Sequence, residues 1–274
     1  MRKKARRVLA ALGAGVVLPL YLSLPGHVSK QQRARFSGFN YAHRGLHAPD
    51  RSVPENSLAA FKLAAKEGYG IELDVQLSKD GQVVVFHDDT LPRVCGVEGP
   101  VDGRPFAELR KLRLCGTEER IPLLSEVLAS IDGAGPLIVE LKSGRRNREL
   151  CRKTYALLKK YPGTVCIESF NPFIVAWFRF HAPRMLRGQL VAPAKEYRRD
   201  GMSRPMSFTL SHNLFNPLSR PQFIAHRIGR RPLNIRLTER LGALRFGWTS
   251  HEQENEKGRD GVIFEFYRPK LKFK

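Results

Sequence analysis

The first 40 positions contain no acidic residue, although they carry eight basic ones: Arg2, Lys3, Lys4, Arg6, Arg7, Lys30, Arg33 and Arg35. Between these clusters, Val8 to Leu24 has no charge at all and is apolar all round rather than on one stripe. That pattern argues against a buried core helix, the plain alternative. As a helix the run would be ~26 Å long, near the lower limit for crossing a bilayer. The run also lacks small residues of the A-x-A kind at its end, which reads Leu22-Ser23-Leu24-Pro25-Gly26. A cleaved signal peptide normally ends in such residues, so an uncleaved anchor is the better reading, with a cleaved and secreted form as the alternative. Five basic residues precede the run and three follow it. The positive-inside rule then expects a cytoplasmic N-terminus and an extracytoplasmic remainder.

Other absences narrow the function. The four cysteines (Cys95, Cys115, Cys151 and Cys166) form no C-x-x-C pair, which argues against zinc. In an external domain Cys95 and Cys115 could bridge, since both lie in one loop-rich stretch, whereas Cys166 reads as a small core residue. Acids are few beside bases. Eight of the +21 net charges sit in residues 1–40, leaving +13 on the rest. Such an excess attracts nucleic acid, an anionic membrane or a phosphorylated substrate. No zinc-finger spacing and no RNP-like aromatic motif supports nucleic acid, and a basic domain beside an anionic leaflet is simpler. A merely basic soluble surface is the plain alternative. There is no internal repeat and no low-complexity segment.

What the chain does have, after residue 38, is strand and helix in alternation. The spacing predicts strands at 39–43, 70–75, 82–87, 137–142, 164–169, 187–191, 222–225, 244–249 and 262–265. Helices are expected at 56–67, around 105–112, and at 123–131, 147–160, 172–181, about 207–215 and 234–241. Repeated β-then-α units imply a parallel sheet with helical crossovers. About eight main strands suggest closure into a (β/α)₈ barrel, for which 274 residues leave room for a short appendage. The division expected is 1–38, a basic N-terminus with an anchor segment and linker, and 39–274, the barrel.

Chemistry concentrates at strand ends. In Ile71-Glu72-Leu73-Asp74-Val75 the two carboxylates share one face of an apolar strand. Such a pair needs a compensating cation, and oxygen ligands suit Mg²⁺ or Ca²⁺; ion pairs with lysines are the alternative. Glu140 and Lys142 end a second strand on one face. In a barrel such ends meet at one mouth. His43 and His87 each end a strand, beside Arg44 and Asp88 respectively. Two histidines near three carboxylates, an Arg and a Lys fit acid–base catalysis of phosphoryl chemistry.

Ala42-His43-Arg44-Gly45, Pro54-Glu55-Asn56-Ser57, Glu72-Leu73-Asp74-Val75, Asp80-Gly81 and His87-Asp88 follow one another in this order. Leu91-Pro92-Arg93, Ile121-Pro122-Leu123-Leu124, Glu140-Leu141-Lys142, Ser169-Phe170, Trp248-Thr249 and Asp260-Gly261-Val262-Ile263 come after them. The series resembles the glycerophosphodiester phosphodiesterase family over about residues 39–268, with Ser57 in place of the usual Thr. The resemblance implies His43 and His87 as the acid–base pair and Glu72, Asp74 and Glu140 as ligands of one divalent cation. It also implies Arg44 and Lys142 on the phosphate, and glycerol 3-phosphate and an alcohol as products. Trp248 lines the pocket or fills the core; Glu55 and Asn56 shape the loop beneath the site, and Glu168 faces the barrel interior. Many members carry Asp and Pro where this chain reads Phe264-Glu265-Phe266, and residues 195–231 match no family motif. A membrane anchor would also suit lysophospholipids as substrates. A catalytically idle barrel that binds phospholipid headgroups, and a nucleic-acid binder resting on charge alone, are the competing classes. No nucleic-acid or protein partner is expected.

Overall fold

The computed structural model describes residues 17–273. Its strands are β1 (Phe39–Ala42), β2 (Gly70–Leu77), β3 (Val83–Val85), β4 (Leu137–Leu141), β5 (Val165–Ser169), β6 (Leu186–Val191), β7 (Phe223–Arg227), β8 (Leu244–Ser250) and β9 (Gly261–Phe264). The parallel order β2-β4-β5-β6-β7-β8-β9-β1 closes on itself through a β1–β2 pairing. The expected eight-stranded barrel is therefore present. β3 lies outside the ring and pairs antiparallel with β2, Leu77 opposite Val83. The turn between them ends in Gly81 at φ 76°, a left-handed conformation that glycine adopts without steric cost.

Strand alternation sorts the side chains into two layers. Leu73, Val75, Val139, Leu141 and Ile167 point outward into a core shared with Phe61, Ala64, Val127, Leu128 and Phe178 of the helical layer. Tyr41, Ile138, Cys166, Phe223 and Phe246 point inward and fill the lower barrel. Cys166 is fully buried there, as a small core residue. The bottom is closed by a helix at Lys30–Phe36, started by a capping box between Ser29 and Gln32. Its Phe36 joins the interior cluster, and the Phe36 carbonyl accepts a hydrogen bond from the Tyr41 hydroxyl at 2.8 Å. The sequence pattern had shown no element there, because about two turns with a single buried apolar anchor, Phe36, have no readable period.

Elsewhere the elements follow the predicted spacing with identifiable shifts. The helix expected from Asn56 runs Leu58–Glu67, because Asn56 sits at φ 55° and Ser57 accepts the capping bond from Ala60 N–H. The single helix expected around 207–215 is instead Arg204–Ser211 followed by Asn216–Ser219. Asn213 at φ 50° breaks the run between them.

The apolar run is described in part, and the two loop cysteines in full. Of the apolar run Val8–Leu24, residues 8–16 lie outside the described residues. Residues 17–23 are helical, and among the described residues no helix is long and apolar enough to cross a membrane. The end of the run is tied to the barrel wall: Asn216 Nδ2 donates to the carbonyls of Leu22 and Leu24, and Arg220 Nη1 to those of Tyr21 and Leu24. Cys95 and Cys115 are not bridged; both are free thiols beside one apolar satellite cluster. Burial pushes the Cys95 thiol up to about 12, so it is protonated at neutral pH.

Candidate active site

The inward row at the C-terminal ends of the strands is acidic. Asp74 stands opposite Glu140 across β2 and β4, and Glu140 opposite Glu168 across β4 and β5. Glu72 lies one inward step below Asp74 on β2. All four carboxylates are less than a tenth exposed. Like charges directly opposite one another are destabilising in a sheet, so the arrangement requires positive charge among them. Lys142 supplies part of it, with Nζ 2.9 Å from Glu140 and 3.4 Å from Asp74. Arg44 supplies more, with Nε 3.5 Å from Asp74 and its backbone N–H donating to Glu72 at 3.0 Å.

The compensation is uneven. Burial raises Asp74, but Lys142, His87 and Arg44 outweigh it and hold the carboxyl below its usual range. Burial, then Asp74, pushes Glu72 well above that range, and burial with Glu140 does the same to Glu168. Burial raises Glu140 as well, against the pull of Lys142. Glu168 Oε2 is buried without a hydrogen-bond partner. One oxygen from each of Glu72, Asp74 and Glu140 lies within 4.8 Å of the other two. The chemistry of this donor set and the orphaned Glu168 oxygen fit a hard divalent cation held by oxygen ligands.

Local backbone explains why these groups converge. Arg44 and Gly45 are both left-handed, at φ 54° and 79°. A β-carbon on Gly45 would meet Ala60 Cβ at 2.8 Å, so this position requires glycine. The bend returns the chain to the loop at Glu55 and Asn56. Asn56 Nδ2 donates to Asp74 at 2.9 Å, and Glu55 binds Arg44 and Arg93, at 2.8 and 2.7 Å. Glu55 and Asn56 thus hold other site residues in place, as loop-shaping groups should.

The two histidines reach the mouth by different routes. His43 follows β1 directly, and its N–H binds the Phe264 carbonyl at the end of β9. Burial, with Arg44 adding to it, lowers its imidazole to about 4. His87 does not end a barrel strand, so the equivalence expected for the pair does not hold. It follows the outlying β3, which is tied to β2 by Phe86 N–H on the Asp74 carbonyl and by Gln76 Nε2 on the carbonyls of Phe86 and Asp88. His87 Nδ1 is 2.7 Å from Asp88, which Arg93 also grips. Among the predicted residues, His43, Arg44, Glu72, His87, Glu140 and Trp248 line one cavity of about 230 Å³. Lys142 and Asp74 lie behind its wall in contact with Glu140 and Arg44. Trp248 donates its indole N–H to the Ala225 carbonyl and packs edge-on against Phe170, so it forms wall rather than core.

Three groups at the mouth carried no sequence prediction. Arg227 lines the cavity and lies over the Trp248 ring at 5.7 Å. Glu265, one residue past β9, lies 3.4 Å from His43 Nδ1 and 2.9 Å from His47 Nε2. The departure from the family pattern after Ile263 marked Glu265 as unusual; nothing in the sequence marked His47 or Arg227.

A profile of the Glycerophosphoryl diester phosphodiesterase family matches residues 43–266. The chain is 39% identical over 162 residues to a glycerophosphodiester phosphodiesterase of Caldanaerobacter subterraneus, covering 54% of this chain and 65% of that protein. It is 32% identical over 168 residues to a lysophospholipase D of Homo sapiens, covering 56% of this chain and 52% of the relative. Its structure is similar to that of an Oleispira antarctica phosphodiesterase in complex with the product sn-glycerol-3-phosphate. There the TM-score is 0.68 and the identity 25%, over 85% of this chain and 94% of that one. The chain therefore spans about half to two thirds of those two curated relatives and nearly all of the solved structure.

Proposed function

Because the chain belongs to the glycerophosphoryl diester phosphodiesterase family, we propose that it hydrolyses glycerophosphodiesters to glycerol 3-phosphate and an alcohol. The observation that carries this reading is the meeting of three metal-competent carboxylates with two histidines and two cations at one barrel mouth. Glu72, Asp74 and Glu140 would hold one divalent cation, Mg²⁺ or Ca²⁺, which when bound would supply Lewis-acid compensation of the phosphodiester charge. Arg44 adds a guanidinium to the phosphate, and the Lys142 ammonium keeps the carboxylate row close to neutral.

His43 is the base. Its Nδ1 faces Glu265, which leaves Nε2 toward the cavity, and its lowered pKa keeps the ring neutral and ready to take the proton of the hydroxyl oxygen, the nucleophile, that attacks phosphorus as the bond to the leaving alcohol breaks. His87, with Nδ1 on Asp88, is the acid and returns a proton to the leaving alcohol oxygen through Nε2. Trp248 and Phe170 wall off the alcohol side.

Lysophospholipids are the second reading, supported by the human lysophospholipase D relative and by one structural feature. Helix Arg204–Ser211, between β6 and β7, buries Ser207 and Ser211 while Met206 and Phe208 stand 43% and 53% exposed. Two large exposed apolar side chains beside the basic Arg204 suit an anionic lipid surface.

The full chain is assayed on glycerophosphocholine and on lysophosphatidylcholine, with EDTA, with Mg²⁺ or Ca²⁺ restored, and as His43→Ala. Metal-restored hydrolysis that the variant lacks is expected, and the better substrate separates soluble diester from lipid. Hydrolysis that survives EDTA, or that His43→Ala retains, overturns the mechanism. Failure on both substrates by metal-loaded protein overturns the substrate class.

A further inference from the structure

Beside the carboxylate row lies a second cluster of different chemistry. His43, His47 and Glu265 each present one ligand atom, all within 4.8 Å of one another. The His47 side chain is only 8% exposed, and His43 and Glu265 are about one sixth exposed. His43 Nδ1 and His47 Nε2 are both buried, and neither makes an aligned hydrogen bond. Each nevertheless sits close to the same oxygen, Glu265 Oε1, at 3.4 and 2.9 Å. Two imidazoles crowd one carboxylate oxygen without directing an N–H at it.

That geometry is ordinary for ligands around a shared ion. With metal–nitrogen and metal–oxygen bonds of about 2.0–2.1 Å at tetrahedral angles, neighbouring ligand atoms stand roughly 3.3 Å apart, with each ring nitrogen aimed at the centre rather than at the oxygen. Two imidazoles and one carboxylate with an open fourth position form a borderline-soft donor set, distinct from the hard oxygen set of Glu72, Asp74 and Glu140. The His47 ring is held in place by Phe266, edge-on at 5.0 Å, in the segment that departs from the family pattern.

We propose that His43, His47 and Glu265 form a second, inhibitory metal site that takes Zn²⁺. The consequence for turnover rests on reading His43 as the base. An imidazole bound to zinc through Nδ1 keeps its proton on Nε2 at neutral pH, so it cannot accept one from the nucleophile. Zinc at this site therefore switches the enzyme off while the carboxylate row keeps its own cation.

The full chain, in excess Mg²⁺ at neutral pH, is titrated with Co²⁺ as a spectroscopic stand-in and then with Zn²⁺. One equivalent of Co²⁺ with the visible d–d absorption of a low-coordinate nitrogen–oxygen site is expected, and Zn²⁺ should displace it. His47→Gln should abolish the band and leave zinc-free turnover unchanged. It should also raise the inhibitory zinc concentration by more than about tenfold, the least that perturbing even a ligand's hydrogen-bond partner does. Glu265→Gln, a second variant that removes a different ligand, should lose the band as well. Glu140→Gln should keep it, which separates this site from the carboxylate row. A band that persists in both His47→Gln and Glu265→Gln, a band lost in Glu140→Gln, or equal zinc inhibition of His47→Gln each overturns the proposal. The Co²⁺ titration needs no substrate, so a chain that binds it but hydrolyses neither diester fails the proposed function and not this site.

Discussion

The two ends of the barrel interior use the same strands for opposite purposes. At the bottom, Phe36, Tyr41, Ile138, Cys166, Phe223 and Phe246 pack without a charge among them. Two residues further along β4 and β5, Glu140 and Glu168 stand beside Glu72 and Asp74 of β2, all buried and mutually repelling. The bottom follows the rule that burial stabilises when it removes apolar area from water. The top breaks that rule, and its cost is offset by Lys142, Arg44 and the cation we assign there. One end makes the fold and the other spends stability on chemistry, which strand alternation permits because inward positions at different heights need not agree.

The comparison can be broken from either end. The largest effect belongs to the top: His43→Ala should lower kcat/KM by about 10²–10⁴-fold without lowering the unfolding midpoint. Glu140→Gln should abolish turnover that neither Mg²⁺ nor Ca²⁺ restores, while metal-free stability holds or rises because one buried like charge is gone. A clear loss of stability in metal-free Glu140→Gln would show that the row is structural. At the bottom, Phe36→Ala should cost about 3–5 kcal/mol in denaturant unfolding and leave the kcat of the folded fraction intact. A kcat that falls with it would mean that the two ends are coupled.

Smaller effects sharpen the contrast. The acid limb of kcat/KM should fall near pH 4, because His43 is lowered to about 4 and must be neutral to take a proton. Glu265 raises that pKa, so Glu265→Gln should move the limb to lower pH, whatever it does to the maximum; a limb that moves upward would remove Glu265 from His43. Between its ordinary 6.5 and about 4 this histidine binds its proton in the unfolded chain and not in the folded one. It therefore draws stability down as pH falls through that window. The smallest change expected is at Arg93, 43% exposed and paired with Glu55 and Asp88. Arg93→Ala should change stability by less than about 1 kcal/mol and slow turnover only several-fold by loosening His87.

Much of this was legible in residue order. Glu72 and Asp74 separated by Leu73 can only share a face of a strand, and the hydrophobic residues between and around them put that strand in a core. Asn56 was legible only as part of the loop beneath the site; it was also read as the start of the helix, and its φ of 55° takes it out. His87 was read on the right residue for the wrong reason: a strand of alternating pattern looks the same in the ring or beside it, and only the pairing partner decides. The bond from Phe86 N–H to the Asp74 carbonyl is a contact between chain segments that no local pattern records.

By itself, then, the order of residues determined which side chains stand together within one strand, because backbone geometry repeats every two residues in a strand. It also carried the eight-unit alternation from which closure follows. Only the tertiary structure decided what meets across strands. It set Asp74, Glu140 and Glu168 in one row, sealed the bottom with Phe36, and delivered Glu265 from the far end of the chain to His43 and His47. Those contacts depend on barrel register and closure, which place residues more than 200 positions apart within hydrogen-bond distance.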